Sequence, residues 1–211
     1  YRAAKDIQNM IDSLLADGKS HQDAELTAFS EYAIECAILK VFGSEVSQFV
    51  SDEGIQIYGG MGFSKDTPME SAWRDARITR IYEGTNEINR LLTVGMLLKK
   101  AMKGEIDLMT PAMEVGNSLM GIPSFDTPDF SVLFSEEKEL IARLKKAFLM
   151  ISGKAVQKYG MDLDNHQQLI LAAAEVMIEI YMAESAILKA EKVVNLSSEK
   201  QAGIQIALAQ L

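Results

Sequence analysis

Proline removes a backbone donor and clashes with the preceding helical turn, and in this chain it is almost confined to one stretch. Pro111, Pro123 and Pro128 fall between Gly104 and Phe130, and only Pro68 lies elsewhere. On either side the sequence keeps apolar residues at helical spacing, and no hairpin dipeptide or alternating β-branched run interrupts them. The whole chain is therefore expected to be all-α. The proline stretch also holds Gly104, Gly116 and Gly121, and it carries Glu105, Asp107, Glu114, Asp126 and Asp129 with no base. It reads as an acidic linker over residues 105–130.

Punctuation residues divide the rest. Tyr1 to Ala16 stops at Asp17-Gly18, and a segment from about Gln22 to Tyr58 shows one face of Ala33, Ala37 and Val41 with Ile34, Ile38 and Phe42 alongside. Thr67-Pro68 with Glu70 reads as a capping box that starts a short helix ending near Thr79. A break at Tyr82 to Thr85 precedes a helix from about Asn86 to Lys103, whose Lys99, Lys100 and Lys103 suit the negative helix pole before Gly104. Beyond the linker, Ser135 to Tyr159 closes at Gly160, and Asp164 to Asn195 forms another long helix. Glu175, Glu179 and Glu184 keep that helix from spanning a bilayer. Helical rhythm is already present at Tyr1 and persists to Leu211 without caps, so both ends read as cut from a longer polypeptide.

Composition excludes several classes of function. A formal charge of -9 repels phosphate backbones, so no nucleic-acid partner is expected. One cysteine and two histidines, His21 and His166, allow no zinc spacing, and no metal is expected. Low cysteine usage points to a reducing, cytoplasmic setting. Cys36 reads as a buried small apolar residue, the histidines as exposed, and Trp73 and Phe63 as core or interface packing groups. Met109, Met113, Leu119, Met120 and Ile122 are either ordinary packing or an adhesive strip on a partner or membrane. The acidity around them counts against anionic lipid.

Chemistry-bearing residues concentrate in Gln56 to Arg90. Gly59, Gly60 and Gly62 lack the strand and the spacing of a nucleotide-binding motif. They are either a helix C-cap or a place where backbone approaches something closely. Glu83 lies in the break before a helix, with Gly84 relieving the turn and Thr85 as a candidate N-cap. Its carboxylate is either a partner of the helix dipole or, in an apolar pocket that raises its pKa, a general base.

Three blocks carry a resemblance: Gln56-Ile57-Tyr58-Gly59-Gly60-Met61-Gly62-Phe63, Trp73-Arg74-Asp75-Ala76-Arg77-Ile78, and Ile81-Tyr82-Glu83-Gly84-Thr85-Asn86-Glu87-Ile88. In this order and spacing they resemble the C-terminal signature of the acyl-CoA dehydrogenases, and the helical region beyond them resembles the extended, very-long-chain type. The resemblance implies an antiparallel helical bundle over residues 1–104, the linker over 105–130, and a second, smaller helical domain over 131–211. It implies an FAD enzyme that converts an acyl-CoA thioester to a trans-2-enoyl-CoA in fatty-acid β-oxidation. Glu83 would be the base that takes the α-proton, and its backbone N–H would help hold the thioester oxygen.

The same resemblance implies that Gln56, Ile57, Tyr58, Gly59 and Gly60 touch the FAD of a neighbouring subunit. Thr85, Asn86 and Glu87 would contact the flavin of their own site, and Tyr82 and Gly84 would line the substrate. Arg74, Asp75 and Arg77 would form ion pairs that orient the catalytic loop. Asn89 before Arg90 departs from the family pattern and leaves Arg90 without an assigned role. The implied partners are acyl-CoA, electron-transfer flavoprotein and further copies of the chain in a dimer or tetramer. Much of the cofactor site would lie in the family's other domains, so these residues alone are expected to be inactive. An acyl-CoA oxidase and a non-catalytic helical scaffold or oligomerisation module are the alternatives.

Overall fold

Helices end in this chain where local chemistry stops them, and in one place where packing does. The computed structural model describes residues 1–118, 129 and 131–211, and no strand occurs among them. The helices are α1 (Arg2–Ala16), α2 (His21–Glu31), α3 (Ala33–Tyr58), α4 (Met69–Ile78), α5 (Asn86–Met102), α6 (Met109–Ser118), α7 (Ser135–Tyr159), α8 (Gln167–Leu196) and α9 (Gly203–Gln210). Short 3-10 turns follow α3 at Gly59–Phe63 and α7 at Gly160–Asn165. The expected all-α class holds. Left-handed glycines close α1, α5 and α7 at Gly18, Gly104 and Gly160, as the sequence indicated.

Two boundaries differ from expectation. The segment from Gln22 to Tyr58 is two helices, parted at Tyr32 (φ −92°, ψ 20°). No proline or glycine marks this break. Tyr32 packs on the buried cluster of Ile7, Ile11, Ala24 and Ala28 that closes the α1–α2 hairpin, so burial of the ring turns the chain. The capping box also fails to form. Thr67 Oγ1 donates to the Met61 and Ser64 carbonyls (2.7 and 3.3 Å), α4 has no side-chain cap, and Glu70 is engaged by Arg74. Tightening the preceding turn has taken the threonine hydroxyl.

The chain divides into two compact units, Tyr1–Leu97 and Leu98–Leu211, with the division inside α5. In the first unit α3 buries Ile34, Ala37, Ile38 and Val41. Helix α4 runs antiparallel to it. Gly54 admits the Met69 side chain, Trp73 Nε1 donates to Asp52 Oδ1 (3.0 Å), and beyond the end of α4 Arg80 Nη1 donates to Gln48 Oε1 (2.8 Å). The turn after α3 folds back so tightly that a Cβ at Gly62 would lie 2.6 Å from the Ile55 carbonyl oxygen. Cys36, expected to be buried, is exposed, because it lies on the side of α3 turned away from the four core residues. Partial desolvation by the surrounding chain and the neighbouring Glu35 carboxylate push its thiol above the ordinary value. Phe63, expected in the core or at an interface, is exposed in the single chain and so is not core.

In the second unit α7 and α8 run antiparallel, with Lys138 paired to Glu191 and Lys145 to Glu184. Their core joins Phe134, Ile141, Ile187 and Ala190, with Ile206 and Ala209 of α9 against it. Phe134 is left-handed (φ +61°) and only 2% exposed, so packing there overrides backbone preference. His166 lies 3.3 Å from Asp162 and stacks obliquely on Tyr159, so it is only partly exposed, whereas His21 is exposed beside Glu25. Residues 109–118, inside the stretch read as a linker, form α6, which packs Ala112 against Gly153 of α7. Asp107 caps α6 by accepting from the Thr110 N–H (3.0 Å), and Pro111 sits in the first turn, where its missing donor has no helical partner to lose. Leu119, Met120 and Ile122 of the suggested adhesive strip lie outside the described residues, while Met109 and Met113 are exposed. Among the described residues no helix is long and apolar enough to cross a membrane, and no cluster of His, Cys, Asp or Glu could hold a metal.

Candidate functional site

The segment between α4 and α5 is short and holds two left-handed residues, of which one is strained. After Thr79 the chain turns back on itself, and the Asn86 N–H closes it by donating to the Arg80 carbonyl (3.1 Å). Inside this loop Glu83 (φ +55°) and Gly84 (φ +84°) are both left-handed. Glycine adopts that conformation freely, whereas a side chain there costs about 1–3 kcal/mol. A side chain at position 84 would also collide with Asn89, whose Nδ2 lies 2.9 Å from the Cβ position. Glu83 is exposed, and among the described residues no donor engages its carboxylate.

The loop is held from beneath by α3. Lys40 Nζ donates to the Gly84 carbonyl (2.7 Å) and to Asn86 Oδ1 (2.9 Å). Asn89 Nδ2 donates to the Gly84 and Thr85 carbonyls (2.8 and 3.1 Å), which gives this side chain a role in holding the loop. Asn86 is fully buried and also bonds Ser44 and Glu45. Glu45 is the hub: Arg90 grips both its oxygens (2.8 and 2.9 Å), and Arg80 lies 3.4 Å away. Partial burial works to raise the Glu45 pKa. The hydrogen bonds from Arg90 and Asn86 and the charges of Arg90 and Arg80 outweigh it and hold the carboxyl below the usual range.

At the start of α5, Thr85 Oγ1 accepts from the Ile88 N–H (3.3 Å), so the expected N-cap is present. Glu87 is exposed. A hydrogen bond from its own backbone N–H lowers its pKa, with the Thr85 hydroxyl and the Arg80 and Arg90 charges helping against desolvation. The ion pairs that steady this loop come from Arg80 and Arg90. Arg74, expected to contribute, is bound to Glu70 one turn away on its own helix.

The second candidate group, Gln56 to Gly60, is wholly exposed at the other end of α3. Gly59 (φ +61°) occupies the C-cap of α3, one of the two roles that its sequence position allows. Gly60 is different: its φ is not left-handed, and a Cβ there would meet nothing within 4 Å. The fold itself does not require glycine at that position. Eighteen residues separate Lys40 from Tyr58, so the two groups lie roughly 27 Å apart along the helix.

The motif reading reached Glu83 and its neighbours but missed Lys40, Ser44, Glu45, Gln48 and Arg80. A sign was present in Lys40, Ser44 and Gln48, polar residues four apart on a helix that also supplies core.

Residues 6–97 and residues 143–211 each match a family described as the acyl-CoA dehydrogenase C-terminal domain. A probable acyl-CoA dehydrogenase of Bacillus subtilis is 40% identical over 184 residues, 87% of this chain and 31% of that protein. The human very long-chain specific acyl-CoA dehydrogenase, mitochondrial, is 44% identical over 95 residues, 45% of this chain and 12% of that protein. The crystal structure of an acyl-CoA dehydrogenase complexed with FAD from Bacillus anthracis superposes with a TM-score of 0.92 at 38% identity, covering 98% of this chain and 35% of that one. The chain spans about a third or less of the length of these relatives.

Proposed function

Since the chain belongs to the acyl-CoA dehydrogenase family as a C-terminal region of it, we propose that it supplies the base of an FAD-dependent enzyme oxidising an acyl-CoA to a trans-2-enoyl-CoA. The observation that carries this reading is Glu83, an exposed carboxylate held in a left-handed backbone conformation by a loop anchored on both sides. A carboxylate serving only the helix dipole needs no such strain. Glu83 removes the α-proton, with its own backbone N–H and the adjoining Tyr82 and Gly84 at the thioester. FAD, held in part by Thr85 and Glu87, would supply the acceptor for the hydride lost from the β-carbon. The apolar surroundings that suit a carboxylate for this task come from outside the described residues, because this chain leaves Glu83 exposed.

The residues fit the cofactor in part. Gly60, glycine without an internal reason, suits close approach by a ligand from outside. The separation of about 27 Å along α3 favours assigning Gln56 to Gly60 to the flavin of a neighbouring copy. Thr85 and Glu87 remain accessible to a flavin at the Glu83 site, whereas the Asn86 carboxamide is committed to Lys40, Ser44 and Glu45. Electron-transfer flavoprotein is the proposed acceptor, and the enzyme is proposed to be a cytoplasmic homo-oligomer. These 211 residues alone are expected to bind FAD weakly and to be inactive.

The test is Glu83→Gln in the full-length enzyme. Turnover should fall roughly 10²- to 10⁴-fold with flavin still bound. Turnover at the unsubstituted rate would leave a helical scaffold as the better reading. Rapid reoxidation of the reduced enzyme by oxygen would instead mark an oxidase.

A further inference from the structure

The loop that carries Glu83 has two anchors on one carbonyl. Lys40 Nζ and Asn89 Nδ2 both donate to the Gly84 oxygen, at 2.7 and 2.8 Å, and the same ammonium bridges to Asn86 Oδ1 at 2.9 Å. Lys40 thus joins α3 both to the carbonyl one residue past Glu83 and to the first residue of α5. A left-handed pair of residues relaxes readily unless its flanks are held. The flank preceding Glu83 is tied by the Arg80 carbonyl and guanidinium, and the following flank by Lys40 and Asn89. Asn89 belongs to α5 and moves with it, and Ser44 and Glu45 hold the start of α5 to α3 through Asn86 and Arg90, so among the described residues Lys40 is what ties the Gly84 carbonyl itself to α3.

Resting on the reading of Glu83 as the base, we propose that Lys40 is a positioning residue for proton abstraction. It touches neither substrate nor cofactor. By pinning the Gly84 carbonyl and the Asn86 side chain to α3, it fixes the direction in which the Glu83 carboxylate leaves the backbone. A rotation of the Glu83–Gly84 pair would carry the carboxylate away from the α-carbon without disturbing the helices.

The experiment compares Lys40→Met, Lys40→Arg and Glu83→Gln in the full-length, FAD-loaded enzyme. It uses an acyl-CoA with and without deuterium at the α-carbon. Lys40→Met should lower kcat about 10- to 100-fold, change KM by less than about 3-fold and raise the α-deuterium isotope effect, with flavin content unchanged. Lys40→Arg keeps a cation able to bridge both oxygens and should recover kcat to within about 3-fold. A role confined to stability would alter flavin content or thermal midpoint and leave the isotope effect alone. Should Lys40→Met not fold, Lys40→Gln replaces it, with one amide donor group in place of the ammonium and an expected loss in kcat of at least about 5-fold. A folded Lys40→Met or Lys40→Gln enzyme with unchanged kcat and isotope effect overturns the proposal alone, provided Glu83→Gln is inactive. An active Glu83→Gln overturns both the proposal and the reading beneath it.

Discussion

Charge pairs cross between helices in both units, yet they do different things. Around Glu45 they are shared and shielded: Arg90 is 13% exposed, Asn86 is fully buried, and one carboxylate serves two guanidiniums and a carboxamide. Between α7 and α8 the pairs Lys138–Glu191 and Lys145–Glu184 lie at the surface, their lysines about half exposed, over an apolar core of Phe134, Ile141, Ile187 and Ala190. A surface pair adds little because water screens it, whereas a connected, partly desolvated network penalises arrangements that leave a member unmatched. The first unit uses polar contacts to specify one backbone conformation at Glu83. The second uses apolar packing to hold helices together, and the left-handed Phe134 shows the same rule, with packing in place of hydrogen bonds enforcing the strain.

The comparison is tested most strongly by Glu45→Leu, which removes the carboxylate that Arg80 and Arg90 share. It should destabilise the first unit by roughly 2 kcal/mol, because the part-exposed Glu45 and Arg80 are reached by water. Trp73, the only tryptophan, lies in this unit and reports its unfolding in urea by fluorescence. The pH dependence carries the same signature. The folded pKa of Glu45 is lowered, so its contribution is complete above the ordinary carboxylate range and is lost as pH falls through the lower folded value. Acid titration of the Trp73 signal should show this loss below about pH 4.5, and Glu45→Leu should flatten it.

A smaller effect of opposite sign is expected at the strained residue itself. Glu83→Gly should stabilise the first unit by about 1 kcal/mol in the same urea experiment, because glycine adopts a left-handed φ without penalty. Stabilisation together with lost turnover would mark the strain as functional. The smallest effect belongs to the second unit. Lys145→Ala should change its stability by no more than about 0.5 kcal/mol, read from amide hydrogen exchange in α7 and α8. A loss as large as that of Glu45→Leu would end the distinction between the two kinds of pair.

Local signals were legible wherever a single residue carries the physics. Asp17-Gly18, Gly104 and Gly160 mark helix ends because only glycine turns left-handed without cost, and Thr85 caps α5 because its hydroxyl reaches the free N–H of Ile88. The break at Tyr32 was not legible, since it arises from burial of a ring against α1 and α2 rather than from a breaker. The Thr67 capping box was legible and wrong, because the Met61 carbonyl competes for the same hydroxyl. Cys36 looked like core by residue type, and only its angle around α3 turned it outward.

The sequence by itself determined the all-helical class, most helix ends, the acidic Pro/Gly stretch and the position of Glu83 between two helices, because proline, glycine, capping groups and helical spacing act within a few residues. Tertiary structure alone decided what holds Glu83 in place. Lys40 and Glu45 lie more than 40 residues from the Gly84 carbonyl and from Arg90 that they bind, and such pairs exist only once α3, α4 and α5 have packed. Their energies depend on burial, which no stretch of sequence specifies alone.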